Sequence, residues 1–228
     1  MLHRQLEPEV MDAPEDASDY DAMDHSAVNQ SFVDDLLVQG ELCGAVLDMG
    51  VGTAQIPIEI CRRCSACHVL GIDLAENMLQ LARHRVMKER LQARLTLERQ
   101  NAKCMSFANH LFDAVISNSI VHHLAEPQQV FAEAIRVVST SGLLFFRDLL
   151  RPADEATLQR LVTTYVSSET NHAQQLFEDS LRAALMLEEV RAIVVAFGFE
   201  SKTVQTTSDR HWTWIARANA RRNNPIGH

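Results

Sequence analysis

Residues 45–53 read AVLDMGVGT, and this stretch decides the fold. Its apolar first part predicts a buried strand that runs into a turn at Gly50 and Gly52. A helix is predicted next over residues 54–63, with Pro57 in its first turn, where a missing backbone N–H is harmless. A strand, a glycine turn and a helix in this order let a ligand approach the backbone and a helix N-terminus closely.

Strands and helices continue to alternate from this stretch through residue 147. This alternation predicts an α/β fold with a mostly parallel, doubly wound sheet. A longer helical region follows over residues 154–197, and two strand-like stretches at the end of the chain predict an antiparallel hairpin. The other predicted strands cover residues 68–72, 94–99, 112–117, 142–146, 201–205 and 211–216, and the other predicted helices cover residues 29–39, 76–90 and 127–138.

Polar residues follow the predicted strands at the points where parallel strands end at one edge of the sheet. Ligands of open α/β sheets bind at this edge. Asp73 follows Gly52 at the spacing of about 20 residues that suits a carboxylate accepting the hydroxyl protons of a free ribose. The residues that this pattern brings to the edge are Asp48, Gly50, Gly52, Asp73, Asn101, Ser117, Asn118, Arg147 and Asp148.

The glycine turn also indicates which nucleotide binds. It departs from the dinucleotide fingerprint G-x-G-x-x-G, because Gln55 stands at the third glycine. Asp48 stands two residues before the first glycine, where its carboxylate would oppose a pyrophosphate. A ligand that carries an ammonium group and a sulfonium suits that carboxylate better. The turn therefore favours S-adenosylmethionine over NAD.

Five ordered segments within residues 45–148 resemble class I S-adenosylmethionine-dependent methyltransferases, and the likeness is greatest to the ubiquinone/menaquinone C-methyltransferase type. The segments are AVLDMGVGTAQIPIEIC, VLGIDLAENMLQLAR, RQNAKCMSF, FDAVISNSIVHHLAEP and GLLFFRDLLRP. The resemblance implies a seven-stranded, Rossmann-like sheet whose last two strands form the antiparallel hairpin. It also implies an enzyme that uses S-adenosylmethionine as its methyl donor.

The resemblance implies a set of cofactor contacts. Asp73 would hold the ribose hydroxyls, with Leu74 beside the adenine, and Asn101 and Ala102 would meet the adenine edge. The amino-acid portion would lie near Asp48, Gly50, Gly52 and Thr53, with Ser117 lining the methionine moiety. The third glycine of the family's loop corresponds to Ala54, whose methyl group is tolerable if the helix lies slightly farther from the turn.

Candidate catalytic residues come from two parts of the chain. Methyl transfer from a sulfonium is an in-line displacement with a neutral leaving group, so positioning is the main task, and a base helps a hydroxyl, thiol or acidic carbon acceptor. His122 and Asp148 are candidate bases beside the fourth and fifth strands, and only one of His122 and His123 can face the site from a short helix. Tyr20 and His25 are candidate lid residues. Packing or surface roles stay open for all of them.

An acidic front distinguishes the N-terminal region. Residues 1–41 carry 11 Asp and Glu against one Arg, a net charge of −10, whereas the other 187 residues carry a net charge of +1. An acidic front repels phosphate backbones, which argues against a nucleic-acid partner. We expect residues 1–41 to form an arm and helix, either solvated or acting as a lid. Residues 42–228 would form the methyltransferase domain, with a helical insert at 154–197.

The remaining composition bears on location, partners and metals. No apolar run approaches the ~18 residues of a bilayer span, and no leader-like stretch is present, which predicts a cytoplasmic protein without a membrane span. A homodimer is compatible with the sequence.

Five cysteines without a secretion signal argue against a disulfide framework. Cys61, Cys64 and Cys67 form C-x-x-C-x-x-C, but cysteines at the end of a packed helix act as small apolar residues, so no metal is predicted.

The sequence thus favours a methyltransferase that acts on a small-molecule O, S or C nucleophile. Alternatives are a regulator that binds the cofactor without turnover, a protein or RNA methyltransferase, and an enzyme that uses the cofactor without methyl transfer. The Asn-Pro-Pro-aromatic motif of enzymes that methylate amide or exocyclic nitrogens is absent, because residues 118–121 read NSIV. The sequence leaves the acceptor open, since the arm and the insert contain few motifs.

Overall fold

The computed structural model of the chain describes residues 2–7 and 26–220. The strands in these ranges are β1 (Gly44–Met49), β2 (Cys67–Asp73), β3 (Leu95–Arg99), β4 (Phe112–Asn118), β5 (Val138–Leu149), β6 (Val204–Ser208) and β7 (His211–Arg217). The α-helices are α1 (Ser26–Val38), α2 (Gln55–Arg63), α3 (Glu76–Lys88), α4 (Gln128–Val137), α5 (Glu155–Val166), α6 (Asn171–Ala183) and α7 (Leu187–Ala196). Short 3₁₀ turns cover Val121–His123, Ser201–Thr203 and Ala218–Ala220. Within the described ranges, no helix has the length and apolar composition needed to cross a bilayer.

The seven strands form one sheet in the order β3-β2-β1-β4-β5-β7-β6. Strands β1 to β5 pair in parallel, and β7 runs antiparallel to both β5 and β6. This confirms the predicted doubly wound α/β fold with an antiparallel C-terminal hairpin. The strand order reverses between β1 and β4, so the carboxyl ends of the central strands border a crevice at this point.

Aromatic side chains fill both faces of the sheet. On one face, Phe146 of β5 stacks on Phe131 of α4 with ring centroids 5.4 Å apart, and the ring of Trp214 lies 5.1 Å from Phe131. On the other face, Phe145 meets Phe32 of α1 edge to face at 5.0 Å. Phe145 and Phe146 point to opposite faces because successive residues of a strand alternate. The core therefore holds α1 and α4 on opposite sides of the crevice-forming strands.

Several element boundaries differ from the prediction, and β5 and β6 are the clearest cases. Strand β5 begins at Val138, directly after α4, rather than at Gly142. Val138 pairs with Phe112, and the register then shifts between Phe112 and Ala114, an irregularity that accommodates the longer strand. The first part of the predicted strand over residues 201–205 is a 3₁₀ turn, and β6 begins only at Val204.

The predicted helical insert contains three helices, α5 to α7. Asp154 begins α5 by accepting a hydrogen bond from the backbone N–H of Thr157 at 2.8 Å. Thr170 begins α6 in the same way, with its hydroxyl accepting from the N–H of Ala173 at 3.2 Å. These caps explain why the helical region is divided where it is.

Residues 2–7, which we call the N-terminal segment, lie against this insert. The N–H of Leu2 donates to the carbonyl of Ala153, and the N–H of Gln5 donates to the carbonyl of Arg182 at the end of α6. This part of the acidic front is therefore attached to the protein by main-chain hydrogen bonds. The division into residues 1–41 and 42–228 stays a prediction.

Candidate active site

The glycine turn between β1 and α2 opens onto the crevice. Gly50 has φ +79° and Gly52 has φ +52°, in the left-handed region that favours glycine. A Cβ added at Gly50 would lie 1.9 Å from Cγ2 of Ile120, whereas a Cβ added at Gly52 would meet no atom within 4 Å. The space above Gly52 is therefore open, and a ligand can approach the backbone there.

Ala54 occupies the position of the family's third glycine. It is fully buried and has φ 63° and ψ 25° at the start of α2. The left-handed conformation costs a non-glycine residue about 1–2 kcal/mol. The sequence predicted that a helix slightly farther from the turn would admit the methyl group. The structure shows, in addition, that the alanine is held in a strained backbone conformation.

Asp73 ends β2 and is held by backbone N–H groups. Its Oδ2 accepts from the N–H of Gly52 and its Oδ1 accepts from the N–H of Ala75, both at 2.9 Å. Burial raises the pKa of Asp73, and these hydrogen bonds offset part of the rise. A carboxylate oxygen can accept more than one hydrogen bond, so Asp73 retains acceptor capacity toward a ligand in the cleft.

Asp48 lies near the end of β1 and faces a second, smaller cavity beside the glycine turn. Thr53, Asn29 and Asn118 also line this cavity. Asp48 is 3% exposed, and burial, together with the charge of Asp73, raises the pKa of Asp48 to about 8. A cationic ligand bound nearby would favour the ionised form of this buried carboxyl group. The contact of Asp48 with the cofactor stays a prediction.

The main cleft follows the carboxyl ends of the central strands. One part of it, the glycine-turn end, brings together six of the predicted cofactor residues, which are Gly50, Gly52, Asp73, Leu74, Asn101 and Ala102. The same cleft is also lined by Asn118, Ser119, Ile120, His123 and Leu124. Asn118 is a site residue to which the sequence assigned no role. Its Oδ1 is buried and has no hydrogen-bond partner in the described part of the chain.

Ser117 lies near the carboxyl end of β4, where its side chain forms a hydrogen bond within the sheet. Its side chain is buried, and its Oγ donates to the carbonyl of Met49 at 2.8 Å, which ties β4 to β1. The next residue, Asn118, lines both cavities at the end of the strand. The predicted contact of Ser117 with the cofactor stays a prediction, and Asn118 is the polar side chain that the structure places in the cleft.

His122 and Asp148 form a buried pair behind the cleft wall. His122 Nδ1 lies 2.5 Å from Asp148 Oδ1, and Asp148 also accepts from the N–H groups of Val121 and Leu149, each at 2.6 Å. Burial would raise the pKa of Asp148, but His122 and the hydrogen bonds lower it overall. Burial would lower the pKa of His122, but its carboxylate neighbours raise it overall. Of the two adjacent histidines, the structure places His123, not His122, in the cleft wall.

Glu7 of the N-terminal segment reaches both histidines. Its Oε1 lies 3.4 Å from Nε2 of His122 and 3.0 Å from Nδ1 of His123. The hydroxyl of Ser180 on α6 donates to the two carboxylate oxygens at 3.2 and 3.3 Å. Burial would raise the pKa of Glu7, but the two histidines lower it overall. We call Glu7, His122 and His123 the histidine end of the cleft.

Arg4 fixes the N-terminal segment to this end. Its Nε donates to the carbonyl of Ala183 at 2.7 Å, and its Nη2 donates to the carbonyls of His122 and Leu124 at 3.1 and 2.8 Å. Arg4 thereby links the cleft wall to α6. No local pattern in the sequence points to Arg4 or Glu7, because their partners lie far along the chain.

The other predicted residues fall outside the cleft or outside the described residues. Tyr20 and His25 belong to the part of the chain that the structure does not describe. Arg147, which the sequence placed near Asp148, pairs with Asp35 of α1 and donates to Oγ1 of Thr213 at 3.0 Å. An arginine bound on two sides in this way holds α1 against the sheet.

The three clustered cysteines surround the guanidinium of Arg94. Arg94 donates to the backbone carbonyls of Cys61, Cys64 and Cys67. The interaction between the thiols of Cys61 and Cys67 lowers the pKa of Cys67 and raises the pKa of Cys61. Within the described ranges, the side chains that converge as potential metal ligands do not include these cysteines. Their arrangement is that of a helix end packed on the sheet.

Comparison with known proteins bears on the class of the domain. The family described as "Methyltransferase domain" matches residues 46–142. Demethylmenaquinone methyltransferase of Bacteroides fragilis is 24% identical over 164 residues, which are 68% of this chain and 66% of that protein. Malonyl-[acyl-carrier protein] O-methyltransferase of Geobacter sulfurreducens is 27% identical over 196 residues, 82% of this chain and 68% of that protein. The chain thus spans about two thirds of the length of these relatives.

Solved structures show the same fold. A SAM-dependent methyltransferase from Aquifex aeolicus superposes with a TM-score of 0.68 at 17% identity, over 90% of this chain and 98% of the other. The sheet order, the glycine turn and the acidic end of β2 define a Rossmann-like methyltransferase domain. Residues 46–142 thus match a methyltransferase domain, and the relatives and solved structures that match the chain are methyltransferases. This confirms the family resemblance and the cofactor that the sequence predicted.

Proposed function

We propose that this enzyme transfers a methyl group to an O, S or C nucleophile of a small molecule by in-line displacement. The observation that carries this proposal is one cleft that is lined by Gly52 and Asp73 and also by His123. Its far wall is backed by the N-terminal segment, so the cleft suits a compact acceptor. The names of the two relatives concern a demethylated menaquinone and a malonyl group on a carrier protein, and they support a small-molecule or carrier-bound acceptor group.

The residues of the glycine-turn end fit S-adenosylmethionine. The open space above Gly52 admits the amino-acid portion close to the backbone, and Asp48 and Thr53 border that space. Asp73 would accept hydrogen bonds from the ribose hydroxyls. Leu74, Asn101 and Ala102 would surround the adenine. When bound, the cofactor supplies an electrophilic methyl group whose leaving group is a neutral thioether.

Two further residues that line the cleft, Asn118 and His123, would orient the acceptor. Asn118 offers a buried, unpaired carbonyl oxygen to a hydroxyl or amine, and His123 presents an imidazole in the same wall. The pair of His122 and Asp148 would act as a positioning unit, because Asp148 fixes the His122 ring, whose centroid lies 4.1 Å from that of His123 at a tilt of 35°. The roles predicted for Tyr20 and His25 as lid residues rest on the sequence.

Calorimetric titration with S-adenosylhomocysteine tests the cofactor site directly. We expect micromolar binding to the wild type and a loss of about 1–3 kcal/mol in Asp73→Ala, because a carboxylate that accepts hydrogen bonds is removed. The matched control is Asp113→Ala, since Asp113 accepts from the N–H of Ala45 at the other end of β1, away from the cleft. Equal affinity in Asp73→Ala and the wild type would overturn the role of Asp73.

A transfer assay with labelled S-adenosylmethionine tests the class of acceptor. Quinols, phenols and thiols form one panel, and protein and RNA from a cell extract form a second. We expect label only in small molecules. Label found only in protein or RNA would favour a macromolecular acceptor. Tight binding of S-adenosylhomocysteine without transfer to either panel would favour a regulator that binds the cofactor without turnover.

A further inference from the structure

Potential metal ligands converge at the histidine end of the cleft. Glu7 Oε1, His122 Nε2 and His123 Nδ1 all lie within 4.8 Å of one another. In the described part of the chain, this is the one group of three or more His, Cys, Asp or Glu side chains that converges so closely. The carboxylate oxygen is 3.4 Å from one nitrogen and 3.0 Å from the other. These are separations that two ligands of one metal ion can have when each bond is about 2.0–2.2 Å.

Neighbouring groups orient two of these ligands. Nδ1 of His122 faces Asp148 at 2.5 Å, which directs the opposite ring nitrogen toward Glu7. Histidines that bind metal ions almost always give their second ring nitrogen to a carboxylate, a carbonyl or water. Ser180 donates to the carboxylate of Glu7 and fixes it in turn. Two of the three ligands therefore have the outer partners that metal-binding side chains require.

Hydrogen bonding alone does not account for His123. Its Nδ1 is buried and has no hydrogen-bond partner within residues 2–7 and 26–220, although Glu7 Oε1 is 3.0 Å away. An N–H directed at that oxygen would form a normal hydrogen bond at this distance. The nitrogen and the oxygen are therefore close without being directed at each other. Two ligands of one ion have this relation, because their lone pairs point at a shared position between them.

We propose that Glu7, His122 and His123 bind one divalent transition-metal ion, of the class of Zn²⁺, Mn²⁺, Fe²⁺ or Co²⁺. Two imidazoles and one carboxylate suit ions of this intermediate softness. Three protein ligands are also the number found in catalytic zinc sites, which keep a position for water or substrate. His123 lines the cofactor cleft as well, so the ion would lie beside the acceptor. This proposal departs from the expectation, drawn from the sequence, that the chain binds no metal.

The ion would have two consequences for the protein. It could hold an acceptor hydroxyl or thiol and favour its deprotonated form, which is the form that attacks a methyl group. It would also attach Glu7, and with it the N-terminal segment, to the 3₁₀ turn of the cleft wall. A metal-free ion pair between Glu7 and the histidines would provide the attachment but not the activation, and this is the competing explanation.

The test is metal binding by the full chain. After treatment with a chelator, the protein is titrated with Zn²⁺ by calorimetry and with Co²⁺ by visible absorption, whose d–d bands report bound cobalt. We expect one ion per chain. Glu7→Gln and His123→Ala should each weaken binding by about 100-fold or more, and Asp148→Asn by about 10–100-fold, as for other outer partners of metal ligands. Matched controls are His84→Ala and Glu126→Gln, whose side chains are exposed, and these should bind as the wild type does.

Two outcomes would overturn the site. One is equal Zn²⁺ and Co²⁺ affinity in the wild type, Glu7→Gln and His123→Ala. The other is no binding to the wild type together with a lower melting temperature in Glu7→Gln, which would identify a metal-free ion pair. Thermal melts of every variant show whether the fold is retained. Titration of S-adenosylhomocysteine into the chelated protein keeps this result separate from the cofactor assignment, because the Asp73 site should bind without the metal.

Discussion

At the glycine-turn end of the cleft, backbone N–H groups of Gly52 and Ala75 hold the side chain of Asp73. At the histidine end, side chains hold other side chains, with Ser180 on Glu7 and Asp148 on His122. The first arrangement follows from the turns that end β1 and β2. The second exists only when the N-terminal segment, the 3₁₀ turn and α6 have come together.

This difference predicts which substitutions should lower ligand affinity and which should lower the free energy of unfolding. A side chain held by the backbone can be removed with little loss of structure, because the turn that positions it remains. A buried side chain held by another charged group leaves that group unpaired when it is removed. Substitutions at the glycine-turn end should therefore change ligand affinity most, and those at the histidine end should change the free energy of unfolding most.

The largest effect is expected from Asp148→Ala. Asp148 is 1% exposed and pairs with His122 while accepting from two backbone N–H groups. Its removal leaves these groups unsatisfied, so we expect a loss of about 3–5 kcal/mol in the free energy of unfolding. Urea denaturation measures this loss. The control is Asp34→Asn, a 61% exposed residue whose surface pair with Arg63 is worth about 0–1 kcal/mol. Equal losses in the two variants would remove the distinction between the ends.

A pH-dependent effect is expected from Asp48. Its folded-state pKa is about 8, far above the ordinary carboxyl value, so the proton on Asp48 favours the folded state. The free energy of unfolding should fall as pH rises from about 4 toward about 8, by at most about 1.4 kcal/mol per pH unit. Asp48→Asn lacks this titration, so its advantage over the wild type should grow with pH up to about 8. Denaturation curves of both proteins at several pH values measure it, and a constant difference would contradict the assignment.

The smallest effect is expected from Ala54→Gly. Relief of the left-handed strain, about 1–2 kcal/mol, should offset the lost methyl burial of about 0.8 kcal/mol and the greater freedom of glycine in the unfolded chain. The free energy of unfolding should change by no more than about 0.5 kcal/mol. The control is Ala134→Gly, a fully buried alanine within α4, which should lose about 1–2 kcal/mol. Equal losses in the two variants would mean that Ala54 is not strained.

The sequence predicted the glycine-turn end because its chemistry depends on short spacings. The turn at Gly50 and Gly52 follows its strand directly, and Asp73 ends the next strand. Ser117 and Asn118 were harder to distinguish, because adjacent polar residues at a strand end differ only in the side to which each points. The register of β4 against β1 determines which of the two side chains reaches the cleft. Ser117 donates a hydrogen bond to the carbonyl of Met49, whereas Asn118 lines the cleft.

The histidine end could not be predicted from the sequence. Glu7 and Ser180 are 173 positions apart, and Arg4 and Leu124 are 120 apart, so no local pattern connects them. The acidic composition of residues 1–41 gives no sign that Glu7 is packed against the histidines. A charge pattern describes the average environment of a segment, whereas this site depends on a single contact.

The attachment of the N-terminal segment also fixes an order of events during synthesis. Residues 2–7 are made before the rest of the described chain, but their partners Ala153, Arg182 and Ala183 are made only after strands β1 to β5. The partners His122 and Leu124 of Arg4 are made earlier, before β5. The full set of contacts therefore forms only after the end of α6 has been made.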